Sequence, residues 1–355
     1  MPVPTSRNPD ETRAQLAAWL SDTFADAEAI EVALVGSPRS TGYSCETLLF
    51  DATWRQRGDQ RSGAFAARVH PSHYSLFLEH DLDLQWRIMD ALGRHTDVPV
   101  PRIIGHQTDG SSRLGQPFFV MERVDGAAPA DSPPYSVKGW LAEASPQDQR
   151  LLYERALAVL ARIDTLDWRA LGLDVLAASA GRVGIRRQVE GHEAFLAWVA
   201  EERSLPVFEE AFAWLRANVP SDATLALNWG DARIGNILFR DFAPVAILDW
   251  EMASLGPPET DLAWWLVFNQ IHTAGRGLPN LAGFPSDAEA VDLYEERTGL
   301  TVRNLRYYQI WAAFRAALLL FRFNDMLVGT GVLPPDSDRA PHLPAVAVMR
   351  SLLDQ

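Results

Sequence analysis

The chain holds one cysteine, Cys45, and one lysine, Lys138. A lone thiol excludes an internal disulfide and fits a reducing cytoplasm. With so little lysine, any task that needs a side-chain cation falls to arginine. No His/Cys cluster has zinc-like spacing, and no G-x-S-x-G elbow marks a serine hydrolase. Long apolar runs are missing as well. The stretch "IWAAFRAALLLFRF" is interrupted by Arg315 and Arg322, so it reads as a buried helix and not as a membrane span. The start, "MPVPTSRNPDETRAQLAAWL", lacks a basic segment followed by an unbroken apolar core, which points away from a secretory leader. Positive charge is scarce: the formal net charge is −14, which repels nucleic acid on average but not a cationic or metal-bridged ligand. These absences together predict a cytoplasmic protein with neither a membrane nor a nucleic acid as partner.

What is present is an ordinary globular composition, 47% hydrophobic and 22% charged over 355 residues, long enough for one large domain or two lobes. The first part is strand-rich. A helix is predicted over residues 8–24, from an asparagine cap, a proline at the first turn and early acidic residues. Strand-like runs follow at "AIEVALVG", "CETLLFDATWR" and "GAFAARVH". A helix is expected over residues 77–95, then two extended segments, "VPVPRIIGHQ" and "QPFFVMERVDG". Beyond the Ala/Pro/Gly-rich residues 126–134 helical periodicity takes over, in "SPQDQRLLYERALAVLARIDTLD", "VEGHEAFLAWVAEER", "PVFEEAFAWLRANV", "ETDLAWWLVFNQIH", "SDAEAVDLYEERTG" and "NLRYYQIWAAFRAALLLFRFNDML". The expected class is therefore α+β and bilobal. An antiparallel sheet lobe with a crossing helix (residues 1–124) leads through an extended hinge (118–126) into a larger helical lobe (127–355), with a cleft as the natural ligand site.

One stretch of the helical part is not helical: "NWGDARIGNILF", followed by "RDFAPVAILDWE". Asp231 stands five residues before Asn236, and Asp249 lies at the end of the next apolar run. A loop carboxylate at 231 can take a hydroxyl proton, and the oxygens of Asn236 and Asp249 are hard ligands suited to Mg²⁺. Asp-x-x-x-x-Asn followed by a metal-binding Asp after two short strands is the arrangement of kinase-type phosphoryl transfer. Arg233, beside the base, can offset charge on the moving phosphoryl group. The plain alternative is that Asp and Asn only start turns. Other segments fit a nucleotide site in the right order. A hairpin with small residues at its tip, Ser40, Thr41, Gly42, Tyr43 and Ser44, can lay backbone N–H groups over phosphates. Arg68 falls on the third strand, where a cation for the α/β-phosphates is wanted. Met121 lies on the strand that enters the hinge, whose backbone can pair with an adenine edge.

These motifs resemble the aminoglycoside phosphotransferase family, which has a protein-kinase-like fold, and the likeness runs over nearly the whole chain. "WGDARIGNILF" is similar to its H-G-D-x-x-x-x-N catalytic loop, "ILDWE" to its metal segment (247–251) and "LGPPETDLAW" to the run after it. The resemblance implies an ATP- and Mg²⁺-dependent kinase of a small-molecule hydroxyl. Asp231 is then the base of a catalytic loop at 229–236, Asn236 and Asp249 hold the metal, and Asp261 buttresses the loop. The Glu122 carbonyl and the Val124 amide meet adenine. Three positions depart from the pattern. Trp229 replaces a histidine that supports the loop, although its indole can still donate. Arg68 replaces a lysine. Gln85 replaces a glutamate on the crossing helix, which leaves Asp83 or Glu79 as other carboxylate partners for Arg68. Trp229 and Gln85 motivate the competing reading of a catalytically silent nucleotide-binding or scaffold protein. Two acceptor classes stay open. The acidic pairs Glu201/Glu202, Glu209/Glu210 and Glu295/Glu296 would suit a polycationic aminoglycoside. The likeness of "HDLDLQW" and "WGDARIGN" to kinases found beside acyl-CoA dehydrogenases suits a hydroxyacyl acceptor, and Trp198, Trp214, Trp264, Trp265 and Trp311 could line its pocket.

Overall fold

The computed structural model describes residues 7–36, 45–71, 75–79, 81–109, 112–178, 181–221, 224–334 and 343–355. The expected phosphate hairpin tip, Ser40 to Ser44, lies outside these residues. The backbone separates into two compact units: residues up to Thr96 with Val100–Asp125, and Asp97–Pro99 with Gly126–Gln355.

In the first unit, helix α1 (Pro9–Thr23) begins where Asn8 accepts from the Asp10 amide at 2.9 Å, with Pro9 in the first turn. It lies on a five-stranded antiparallel sheet of order β1-β2-β3-β5-β4. The strands are β1 (Ala27–Gly36), β2 (Glu46–Gln56), β3 (Asp59–Val69), β4 (Ile103–Gln107) and β5 (Phe118–Glu122). Period-two alternation decides the faces. Leu48, Phe50 and Ala52 of β2 and Phe65, Ala67 and Val69 of β3 point to one side, where they bury against Leu16, Trp19 and Leu20 of α1. Register is fixed by a two-residue turn: Gln56 pairs with Asp59, and Arg57 and Gly58 both take positive φ. Helix α2 (Leu82–His95) starts later than the periodicity suggests, because the Asp81 side chain accepts from the Leu84 amide at 2.8 Å and caps the helix there. β4 likewise begins only after Pro99 and Pro101, which have no N–H to give a ladder.

The second unit contains α3 (Pro146–Asp164), α4 (Asp174–Ala178), α5 (Ile185–Ala200), α6 (Pro206–Ala217), α7 (Glu259–His272), α8 (Asp287–Thr298), α9 (Leu305–Gly329) and α10 (Pro344–Leu353). The short α4 and α10 have no counterpart in the sequence expectation. α5 starts four residues earlier than expected, directly after Gly184 at φ +73°. Ser145 caps α3, and Ser286 with Glu289 forms a capping box on α8. α7 is buried almost all round, which makes it the central helix of this unit. Two small antiparallel pairs interrupt the helices: β6 (Ala226–Asn228) with β9 (Ser254–Gly256), and β7 (Ile237–Arg240) with β8 (Ala243–Ile247). No helix among the described residues is long and apolar enough to cross a membrane.

Candidate active site and its relatives

The two small pairs nest. β6 and β9 pair at the outside, and the β7–β8 hairpin sits between them in sequence. The loop before β7 and the segment after β8 are thereby brought together. The Leu248 amide donates to the Asn236 carbonyl at 2.9 Å. The Trp229 indole N–H reaches across to the carbonyls of Leu248 (2.9 Å) and Asp249 (3.1 Å). Tryptophan at 229 therefore ties the Asp231 loop to the Asp249 segment by donation alone, which imidazole and indole can both supply. At Gly230, φ is +92° and an added Cβ would lie 2.1 Å from the Met252 carbonyl oxygen, so only glycine fits between loop and segment.

Asp261, on the first turn of α7 and fully buried, accepts from the Trp229 amide at 2.5 Å and the Gly230 amide at 3.0 Å. Burial pushes its carboxyl up to about 7, against the pull of those two amides and of Arg315. The loop is thus hung from a carboxylate on the most buried helix of the unit.

The Asp231 side chain is held by three donors. Trp264 of α7 gives its indole N–H to Oδ1 at 2.8 Å. Asn236 gives its amide to Oδ2 at 2.5 Å and to the Asp231 carbonyl at 3.1 Å. Arg233 Nε lies 3.2 Å from both carboxylate oxygens. Because both partners of the Asn236 amide nitrogen can only accept, its orientation is fixed and Oδ1 is turned away from Asp231. Asp249 takes φ +65°, a left-handed conformation that costs a non-glycine residue about 1–3 kcal/mol. Among the described residues no three His, Cys, Asp or Glu side chains converge on a cation position. One amide oxygen and one carboxylate still fit the sparse protein ligation that Mg²⁺ uses when phosphates and water complete its shell.

Sequence reasoning missed Asp131. Its two oxygens lie 2.9 and 2.7 Å from Arg233 Nη1, and Oδ1 lies 3.1 Å from His272 Nε2. Burial works against its charge, yet Arg233 and His272 hold the carboxyl well below the usual range. Arg233 in turn stays firmly charged despite its burial, because Asp131 and Asp231 flank it. Gly235 makes the room: a Cβ there would lie 2.5 Å from Arg233 Nη1 and 3.0 Å from Asp131 Oδ1. No local pattern links residue 131 to residue 233, so only the fold could reveal the pair. Both residues edge a small pocket walled by Tyr135, Tyr153, Trp265, Phe268 and Phe284, with Asn269 and His272 as its further polar groups. Of the five tryptophans considered as pocket lining, Trp265 alone lines it, and none of the acidic pairs does.

In the first unit, Arg68 is buried on β3 with Nη1 3.4 Å from Thr47 Oγ1, and Gln85 is buried on α2. Asp83 is engaged with Arg87 (2.5 Å), Trp86 (2.9 Å) and Thr108 (3.3 Å). Met121 is buried on β5, and Glu122 side-chain Oε1 pairs with Arg102 at 2.6 Å.

Residues 48–304 match the phosphotransferase enzyme family. Among curated proteins, the mouse acyl-CoA dehydrogenase family member 10 is 31% identical over 273 residues, 71% of this chain and 24% of that protein. The chicken acyl-CoA dehydrogenase family member 11 is 30% identical over 275 residues, 74% of this chain and 33% of that protein. The chain thus spans about a quarter to a third of the curated relatives it matches. Among solved structures, a protein from Ralstonia eutropha JMP134 described as a candidate aminoglycoside phosphotransferase has TM-score 0.70 and 24% identity, covering 96% of this chain and 98% of that one. Choline kinase from Streptococcus pneumoniae has TM-score 0.55 at 11% identity, covering 97% and 99%. The fold is protein-kinase-like and α+β, with the five-stranded sheet in the N-terminal part and a mainly helical C-terminal part. The chain belongs to the phosphotransferase enzyme family.

Proposed function

We propose that this phosphotransferase moves the γ-phosphoryl group of ATP to the hydroxyl of a hydroxyacyl-type small molecule, with Asp231 as base. The observation that carries the reading is the three-donor cradle around the Asp231 carboxylate, hung from Asp261 through the loop backbone. In the reaction, the acceptor oxygen bonds to the γ-phosphorus as the bond to the ADP oxygen breaks, and the hydroxyl proton passes to Asp231. Arg233 holds Asp231 through Nε and adds positive charge where the phosphoryl group moves. Asn236 Oδ1 and Asp249 would hold Mg²⁺, which offsets phosphate charge when bound. Arg68 and residues 40–44 would contact phosphates, with Gln85 accepting from Arg68. Met121, the Glu122 carbonyl and the Val124 amide would receive adenine. This division, with nucleotide groups in residues 1–124 and catalytic groups in 127–355, belongs to the same proposal.

A hydroxyacyl acceptor is preferred to a polycation because Asp131, the one carboxylate lining the small pocket beside Arg233, is already paired with Arg233 and His272. The kinship with proteins named as acyl-CoA dehydrogenase family members points the same way. The indole bridge from Trp229 supports an active enzyme over a silent one, since the support expected from histidine is supplied in another form. The test is ADP release with Mg·ATP across two acceptor panels, hydroxyacyl-CoA compounds and aminoglycosides. The native chain should turn over with the first panel, and Asp231→Ala and Asp249→Ala should lose at least about a thousandfold in rate while remaining cooperatively folded. ATP binding with no acceptor ever phosphorylated would return the silent reading.

A further inference from the structure

Trp264 was one of several tryptophans that could have been plain core, and its burial, 1% exposed, fits that description. Its N–H does not. The indole is a donor only, and its single proton goes to Asp231 Oδ1 at 2.8 Å, from a helix thirty-three positions further along the chain. The other two donors on that carboxylate, Arg233 and Asn236, belong to the loop itself. Trp264 is the donor that references Asp231 to the buried helix α7. Its ring is in turn fixed: the Arg315 guanidinium of α9 stands 4.7 Å from its centroid, and Phe268 packs at 4.9 Å. Arg315 is itself buried, and burial lowers it to about 10, so it remains a cation at neutral pH. A cation over the indole face polarises the ring and strengthens its N–H as a donor.

We infer that Trp264 is a positioning residue for phosphoryl transfer, orienting the Asp231 carboxylate through its indole N–H while Arg315 holds the ring. The inference rests on the reading of Asp231 as base. Two oxygens with three donors leave the carboxylate little rotational freedom. Removing the indole donor lets it turn about the Asn236 and Arg233 contacts and spoils its approach to the acceptor hydroxyl. Nucleotide affinity does not pass through this contact.

The test compares Trp264→Phe with Trp168→Phe in the full chain. Trp168 is also buried and also loses an indole hydrogen bond, to the Leu225 carbonyl at 3.2 Å, but it makes no contact with Asp231. Turnover is followed as Mg-dependent ADP release with the acceptor panel, and with water alone as acceptor. W264F should lower kcat by about tenfold to a hundredfold, the worth of one hydrogen bond to a charged group, with the KM for ATP within about twofold. W168F should leave kcat within about threefold of native. A second measurement needs no turnover. The ¹⁵N-indole resonance that vanishes in W264F should shift in Asp231→Ala, while that of Trp168 stays in place. A native kcat in W264F, an equal kcat loss in W168F, or an unmoved indole resonance overturns the inference. If Asp231→Ala itself retains turnover, the phosphotransferase reading of the site has failed. If that variant is dead and W264F is unimpaired, only the positioning role has.

Discussion

Asp261→Asn probes how the loop is suspended. In the native chain Asp261 is fully buried and its carboxyl sits at about 7, against an ordinary 3.8. The folded state therefore keeps a proton that the unfolded state gives up. Between about pH 4 and 7 the unfolded chain ionises first, so stability from this group falls as pH rises, and the fall levels off above about 7. From pH 5 to pH 8 the cumulative loss is about 2–3 kcal/mol, taking 1.36 kcal/mol per unit and the onset at each pKa. Asparagine cannot ionise, so the variant lacks this component. It also has one acceptor oxygen for two amides, so the Trp229 or the Gly230 N–H faces a donor, which costs about 1–3 kcal/mol at every pH. Urea unfolding of both proteins at pH 5, 6, 7 and 8 separates the two effects. The variant should be the less stable at pH 5, and the gap should close or reverse by pH 8. A native-minus-variant difference constant to about 0.5 kcal/mol over that range would refute a buried, proton-retaining Asp261.

Substitutions at two further positions report on the junction between loop and metal segment. Gly230→Ala forces a Cβ to 2.1 Å from the Met252 carbonyl at φ +92°, so it should destabilise by at least about 2–3 kcal/mol in urea melts and depress turnover with it. A Tm within a degree of native would show that the segment yields freely. Trp229→Phe deletes the donor to the Leu248 and Asp249 carbonyls, for a loss of about 1–3 kcal/mol. Its Mg²⁺ requirement should rise as the Asp249 segment loosens, measured as the Mg²⁺ concentration at half-maximal ADP release, whereas Trp229→His should fall between phenylalanine and native.

The sequence by itself determined the fold family and the order of the parts. Asp231, Asn236 and Asp249 are close in the chain and separated by one hairpin. Hydrogen-bonding range along a loop and a two-strand return are local facts, and local facts are written in spacing. The strand runs of β2 and β3 and the cap at Asn8 were legible for the same reason. α2 was read five residues too long, because periodicity carries no information about which nearby aspartate wins the cap. Tertiary structure alone decided what surrounds the carboxylate. Asp131 meets Arg233 from 102 positions away and Trp264 meets Asp231 from 33, each through a helix or loop whose placement depends on packing over the whole unit. A tryptophan in an apolar helix and an aspartate in a Pro-rich loop look like core and turn in one dimension. Only close packing, which aims a single N–H or a single oxygen to within a fraction of an ångström, gives either of them a partner.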